Sequence, residues 1–238
     1  MAIIVVGGSN RGVGKTTLVC GLIAALPEYR WNAVKITTHD HPQPVSQGRT
    51  KSAHGREPRA PFFRQIFERH PAELAVRPEL VPVSSPIWQE TTPGDETDTG
   101  RYLAAGALRA LLVSAPDGGL SEVLNQLWPR FGRGTNIIFE SNSVAHHVRA
   151  DVCLLIHGVA ERELPLPERK PSFLSALRHA DALVARAGAD KVIEQGLCVA
   201  GGDEQAALRP IFQLRSLERV SPELLDWLRL RLPEPLHF

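Results

Sequence analysis

The sequence lacks the features of a secreted, membrane or nucleic-acid-binding chain. Its three cysteines, Cys20, Cys153 and Cys198, lie far apart without metal-ligand spacing, so reduced thiols in a core are the expectation. No stretch reaches the ~18 apolar residues of a membrane span, and no basic region precedes the short apolar run at residues 2–6. There is no long block of like charge: 27 Lys and Arg face 26 Asp and Glu, for a net charge of +1. A phosphate backbone calls for a concentrated basic face, so a nucleic acid is not expected as a partner, nor is a membrane. No internal repeat is visible. The chain reads as soluble and cytoplasmic.

What remains is 238 residues with a hydrophobic fraction of 43%, enough for one large domain, with or without a sizeable insertion, rather than a disordered chain. Short β-branched runs alternate with helical stretches. Strands are expected at 2–6, 32–37, 107–114, 136–141, 151–158 and 181–187, and helices at 15–26, 120–128 and 222–232. That alternation predicts a doubly wound, mostly parallel α/β sheet. From residue 40 to 97 the rhythm breaks into Pro, Arg, His and Ser, with one helix candidate at 61–70 built on Phe62, Phe63, Ile66 and Phe67. We read 41–97 as an insertion, a lid or mobile segment, in a single domain spanning 1–238.

The chemistry concentrates in GGSNRGVGKTTL, residues 7–18, which follows the first strand and opens the first helix. This order aims loop amides and a helix N-terminus at an anion. Gly12 and Gly14 let the backbone approach phosphates, Lys15 would reach the β- and γ-phosphates, and Thr16 would offer its hydroxyl to Mg²⁺. Nucleotide contacts are therefore expected from Gly8, Ser9, Asn10, Arg11, Gly12, Val13, Gly14, Lys15, Thr16 and Thr17. The opening glycine stands one place early, giving Gly-x5-Gly-Lys-Thr from Gly8. This spacing resembles the longer loops of dethiobiotin and cobyrinic acid synthetases, within the broad group of P-loop NTPases.

Two further stretches resemble the molybdopterin-guanine dinucleotide biosynthesis adaptor, the B-type protein. AVKITTHDH (33–41) is similar to its Ile-Lys-His-Thr-His-His-Asp region, and DTGRYLAAGALRALLVS (98–114) to its Asp-Ser/Thr-x-Arg…Ala-Gly-Ala segment. NIIFES stands where the adaptor has a strand ending in Glu-Gly, but here Glu140 is followed by Ser141 and Asn142. The intervening insertion and the C-terminal third have no counterpart in the adaptor. The resemblance implies GTP with Mg²⁺, slow hydrolysis, molybdenum cofactor biosynthesis and a protein partner, and it leaves room for a homodimer. The synthetase spacing implies ATP and a phosphorylated carboxylate instead. A nucleotide-switched scaffold without catalysis is the third alternative.

Asp40 follows the second strand and Glu140 ends a later one, at the carboxyl ends where doubly wound sheets bind ligands. One would hold Mg²⁺ and the other orient water, with Lys15 as the third catalytic residue; the competing reading of each acid is a helix or turn cap. Asp98 lies in GDETDTG, which also reads as an acidic turn. His39 and His41, two apart on an extended segment, point to opposite faces and do not easily share an ion; His146 and His147 read as a surface pair. Arg49, Lys51, His54, Arg56 and Arg59 form either a solvated loop or an electropositive flap over an anionic second substrate such as a phosphorylated pterin. Residues 182–190 contain Arg186 and Asp190 but no Asn-Lys-x-Asp element, so the base is not legible.

Overall fold

The computed structural model describes residues 1–37, 87–115, 118–157, 171–186 and 209–235. In chain order they form β1 (Ile3–Gly8), α1 (Lys15–Ala25), β2 (Asn32–Thr37), β3 (Ile87–Glu90), α2 (Asp98–Ala104), β4 (Arg109–Ser114) and α3 (Leu120–Leu127). There follow β5 (Ile137–Glu140), β6 (Val152–His157), α4 (Pro171–His179), β7 (Ala182–Arg186), β8 (Ile211–Leu214) and α5 (Pro222–Arg229). The described strands make one sheet in the order β3-β4-β2-β5-β1-β6-β7-β8. Every pairing is parallel except β3 with β4.

Strand alternation sends successive residues to opposite faces, and here both faces are apolar. Ile4 and Val6 of β1 pack with Leu18, Leu22 and Ile23 of α1, Tyr102 of α2, and Leu224 and Leu228 of α5. Ile3 and Val5 face the other way, with Val34, Leu111 and Phe139, under Val123, Leu124 and Leu127 of α3. Further along that face, Phe173 and Leu177 of α4 cover Leu155 and Leu183. Helices on both sides of a mostly parallel sheet make the fold doubly wound, as the alternation predicts.

The β-branched strands and the first helix lie within two residues of their expected bounds. The end of the 41–97 stretch enters the sheet: Ile87–Glu90 is an edge strand, antiparallel to β4 from Ile87↔Val113 to Glu90↔Ala110. Its last residue is a buried carboxylate, satisfied by the amides of Thr91 and Thr92 and the hydroxyls of Thr97 and Thr99. Asp98 does not lie in a simple acidic turn; it opens α2, whose N-cap Thr97 accepts from the Gly100 amide at 2.9 Å. The helix candidate at 61–70 lies outside the described residues. Among the described residues no helix is long and apolar enough to cross a membrane.

β1 sits between β5 and β6, and β2 lies beyond β5. The chain thus leaves β1 toward one edge and later returns to build the other. That switch point, at the carboxyl ends of the strands, is where this architecture opens a crevice.

Candidate functional site

The loop after β1 is fixed at its base and open at its tip. Asn142 takes Gly8 with both amide atoms: its Oδ1 accepts from Gly8 N–H at 2.8 Å, and its Nδ2 donates to Gly8 O at 2.9 Å. The Ser9 amide donates to the Ile156 carbonyl at 3.1 Å, and the Ser9 hydroxyl donates to the same oxygen at 3.3 Å. The amides of Gly8 and Ser9 therefore anchor the loop to its neighbours. Asn10, Arg11 and Gly12 are exposed. Gly12 has φ 79° and Gly14, the N-cap of α1, has φ 109°. This left-handed backbone favours glycine. Beyond Gly14 the first-turn amides of α1 have no intrahelical acceptor, as at any helix start. The Lys15 ammonium folds back to donate to the Asn10 carbonyl at 2.8 Å.

Behind the loop, sheet register assembles a charged cluster. Glu140 ends β5; its register partners are Val6 on β1 and Lys35 on β2. Being paired across parallel strands, Glu140 and Lys35 project to one face, the face that α1 and α2 cover. The Lys35 ammonium donates to Glu140 Oε1 at 2.9 Å and also to Asp98 at the start of α2. On the other carboxylate oxygen, Thr16 Oγ1 donates to Oε2 at 2.8 Å, and the buried Tyr102 phenol donates there as well. Arg101 Nη2 reaches Thr17 Oγ1 at 3.3 Å, a second tie between α2 and α1.

The electrostatics follow from this enclosure. Burial pushes the Lys35 ammonium down, but Glu140 and Asp98 outweigh it and hold its pKa above the ordinary value. Burial likewise pushes Asp98 up, and the hydrogen bond and charge of Lys35 more than reverse it. The Tyr102 phenol lies well above its usual range, first by burial and then by the Glu140 charge, so it remains a proton donor. Cys20, half-buried on α1, is raised to about 11 by burial, an inert thiol.

Of the residues expected in the site, the structure brings together the phosphate loop, Thr16 and Glu140. Asp40, with His39 and His41, lies outside the described residues, as do Arg49, Lys51, His54, Arg56, Arg59, Asp190 and Cys198. His146 and His147 are exposed: His146 contacts Ser175 and stands edge-on to His179, and His147 pairs with Ser121 at 2.8 Å. Among the described residues no group of three or more His, Cys, Asp and Glu is placed to hold a metal ion. Sequence reasoning missed Lys35, Tyr102 and Asn142 and weighted Asp98 too lightly. The signal for Lys35 was present, as a charge between the apolar residues Val34 and Ile36 of a strand.

A glycine-bearing loop from the central parallel strand into a helix, with an acid on the neighbouring strand, is the P-loop arrangement. The fold is doubly wound α/β with a phosphate-loop geometry after its β1 strand. No family model matches the chain, and no curated protein sequence does. Among solved structures, it is similar to LpxK from Aquifex aeolicus in complex with ATP, with 15% identity and a TM-score of 0.43, covering 90% of this chain and 53% of that one. It is also similar to HypB from Helicobacter pylori in complex with nickel, with 13% identity and a TM-score of 0.44, covering 100% and 92%. This chain spans about half the length of the first. Likeness at this level carries no ligand or reaction across to this chain.

Proposed function

We propose that the chain binds the phosphates of a nucleoside triphosphate with Mg²⁺ and hydrolyses it slowly. The observation that carries this reading is the 2.8 Å contact of Thr16 Oγ1 with Glu140 Oε2, directly behind the phosphate loop. Two hard oxygens converge there, as suits Mg²⁺, which takes one or two protein oxygens and keeps waters and phosphates for the rest. Thr16 and Glu140 would hold it; when bound, Mg²⁺ neutralises charge on the β- and γ-oxygens. The first-turn amides of α1 cradle phosphate, and Lys15, freed from the Asn10 carbonyl, reaches the terminal groups. Glu140 already accepts from Lys35, Thr16 and Tyr102, which suits it to holding charge rather than to moving protons. Asp40 is the proposed residue for orienting water. Phosphoryl transfer needs mainly positioning and charge neutralisation, which this arrangement offers.

The finer reading is an adaptor in molybdenum cofactor biosynthesis, using GTP, an anionic pterin and a protein partner. Residues 33–41 and 98–114 support it by resemblance alone. The Gly8 spacing supports ATP and a carboxylate acceptor instead.

Calorimetric titration with ATP and GTP, in Mg²⁺ and in EDTA, tests the proposal. Thr16→Ala is expected to weaken binding in Mg²⁺ and to leave binding in EDTA near the parent value. No triphosphate binding under either condition would overturn it. Phosphate release only on adding a carboxylic acid would select the synthetase reading.

A further inference from the structure

Lys35 is rooted in the sheet between β4 and β5, so it cannot withdraw from the cluster as a surface lysine could. Its ammonium lies on Oε1 of the same carboxylate whose Oε2 Thr16 marks. The Glu140 side chain is 5% exposed and that of Lys35 22%. Asp98 is more open, at 39%, but a carboxylate as deep as Glu140 needs a cation, since removing one partner of a buried ion pair leaves a costly uncompensated charge. Asp98, Glu140 and Lys35 together carry one net negative charge, so a divalent ion added beside Lys35 would turn the cluster positive.

We propose that Lys35 is a built-in counter-ion that neutralises Glu140 from Oε1, and that a divalent ion gains this carboxylate only as Lys35 gives it up and keeps Asp98. This rests on the reading of Thr16 and Glu140 as the metal site. Metal alone then binds weakly, because it competes with a tethered ammonium. Triphosphate supplies the negative charge that lets both cations stay, so metal and triphosphate strengthen each other's binding, reciprocally. The lysine becomes a guard against metal loading without nucleotide.

The test uses Mn²⁺ as an electron-spin-resonance probe on the full chain, with and without a non-hydrolysable triphosphate. Lys35→Met is expected to bind Mn²⁺ alone about tenfold or more tighter than the parent, and to show less gain from triphosphate. Lys35→Arg keeps the charge and should keep the weak affinity. Equal or weaker Mn²⁺ binding by Lys35→Met would overturn the inference. Should Lys35→Met fail to fold, the parent protein decides the matter through the Lys35 ammonium resonance. A shift of that resonance on adding Mg²⁺ with triphosphate, as the ammonium leaves Glu140 for Asp98 alone, supports the inference, and an unchanged resonance overturns it. Triphosphate binding in EDTA reports the phosphate loop independently. If it is present while Lys35→Met leaves Mn²⁺ affinity unchanged, the counter-ion inference falls and the nucleotide reading stands.

Discussion

Asn142 holds Gly8 as a neighbouring strand would, with Oδ1 accepting its N–H at 2.8 Å and Nδ2 donating to its carbonyl at 2.9 Å. The amide sits just past β5, where Ser141 N–H also bonds to Val6 O at 3.1 Å. The base of the phosphate loop and the end of the acid-bearing strand are therefore one hydrogen-bonded unit. A Cβ on Gly7 would stand 2.9 Å from Leu155 Cδ1 and 3.0 Å from Asn142 Oδ1, so Gly7 makes room for these side chains.

Asn142→Leu is expected to cost about 1–3 kcal/mol in urea denaturation, because it strands a donor and an acceptor on Gly8. Asn142→Asp keeps the acceptor alone and should fall between. Parent-like stability of Asn142→Leu would show that water replaces the amide.

Gly14→Ala should destabilise the loop for two separable reasons. Its φ of 109° disfavours any Cβ, and that Cβ would stand 2.1 Å from Leu217 Cδ1. Overpacking of this kind costs about 1–3 kcal/mol. In a Leu217→Ala background the steric part vanishes, so Gly14→Ala should cost less there than in the parent. An unchanged cost in that double-mutant cycle would leave backbone strain as the whole effect.

Lys15→Ala should weaken triphosphate binding on the order of 10–150-fold, the worth of a lost charged hydrogen bond, while monophosphate binding changes little. Calorimetry with both ligands checks it. Equal losses for the two would place the lysine away from the terminal phosphates.

Asp98→Asn should reshape the acid limb of stability. Burial raises the Asp98 carboxyl, but Lys35 outweighs it and holds the group below its ordinary value of about 3.9. A lowered folded-state pKa means that the contribution is complete above the unfolded value and is lost as pH falls through the folded one. The parent's advantage over Asp98→Asn should therefore be constant from pH 5 upward and shrink below about pH 4. A pH-independent difference would mean that the charge of Asp98 contributes nothing.

The strands that sequence patterning located are those whose burial is written in their composition. Ile3 to Val6 and Ile137 to Phe139 are apolar on both faces, as central parallel strands must be. Ile87–Glu90 escaped because an edge strand of four residues, ending in a buried acid, shows no such run. α2 was obscured by Gly100, an unusual helix residue. A Cβ there would meet Thr97 Oγ1 at 2.8 Å and the Gly94 carbonyl at 3.0 Å, so tertiary fit overrides propensity. In the site, the phosphate loop was legible because local order and spacing define it. The Lys35–Glu140–Asp98 cluster was not, because it depends on which strands become neighbours, and β5 enters between β1 and β2 out of chain order.

The pairing of Lys35 with Glu140 also bears on how the sheet assembles. They are register partners on β2 and β5, segments that lie about a hundred residues apart. A slip of one residue would turn the lysine to the α3 face, among Val34, Leu111 and Phe139, where the described residues bury no acid. Apolar strands slide past one another with little to distinguish one alignment from the next, whereas this charge pair is satisfied in a single alignment. The polar cluster thus acts as a proofreader of strand alignment, penalising the misthreaded sheet before any ligand arrives.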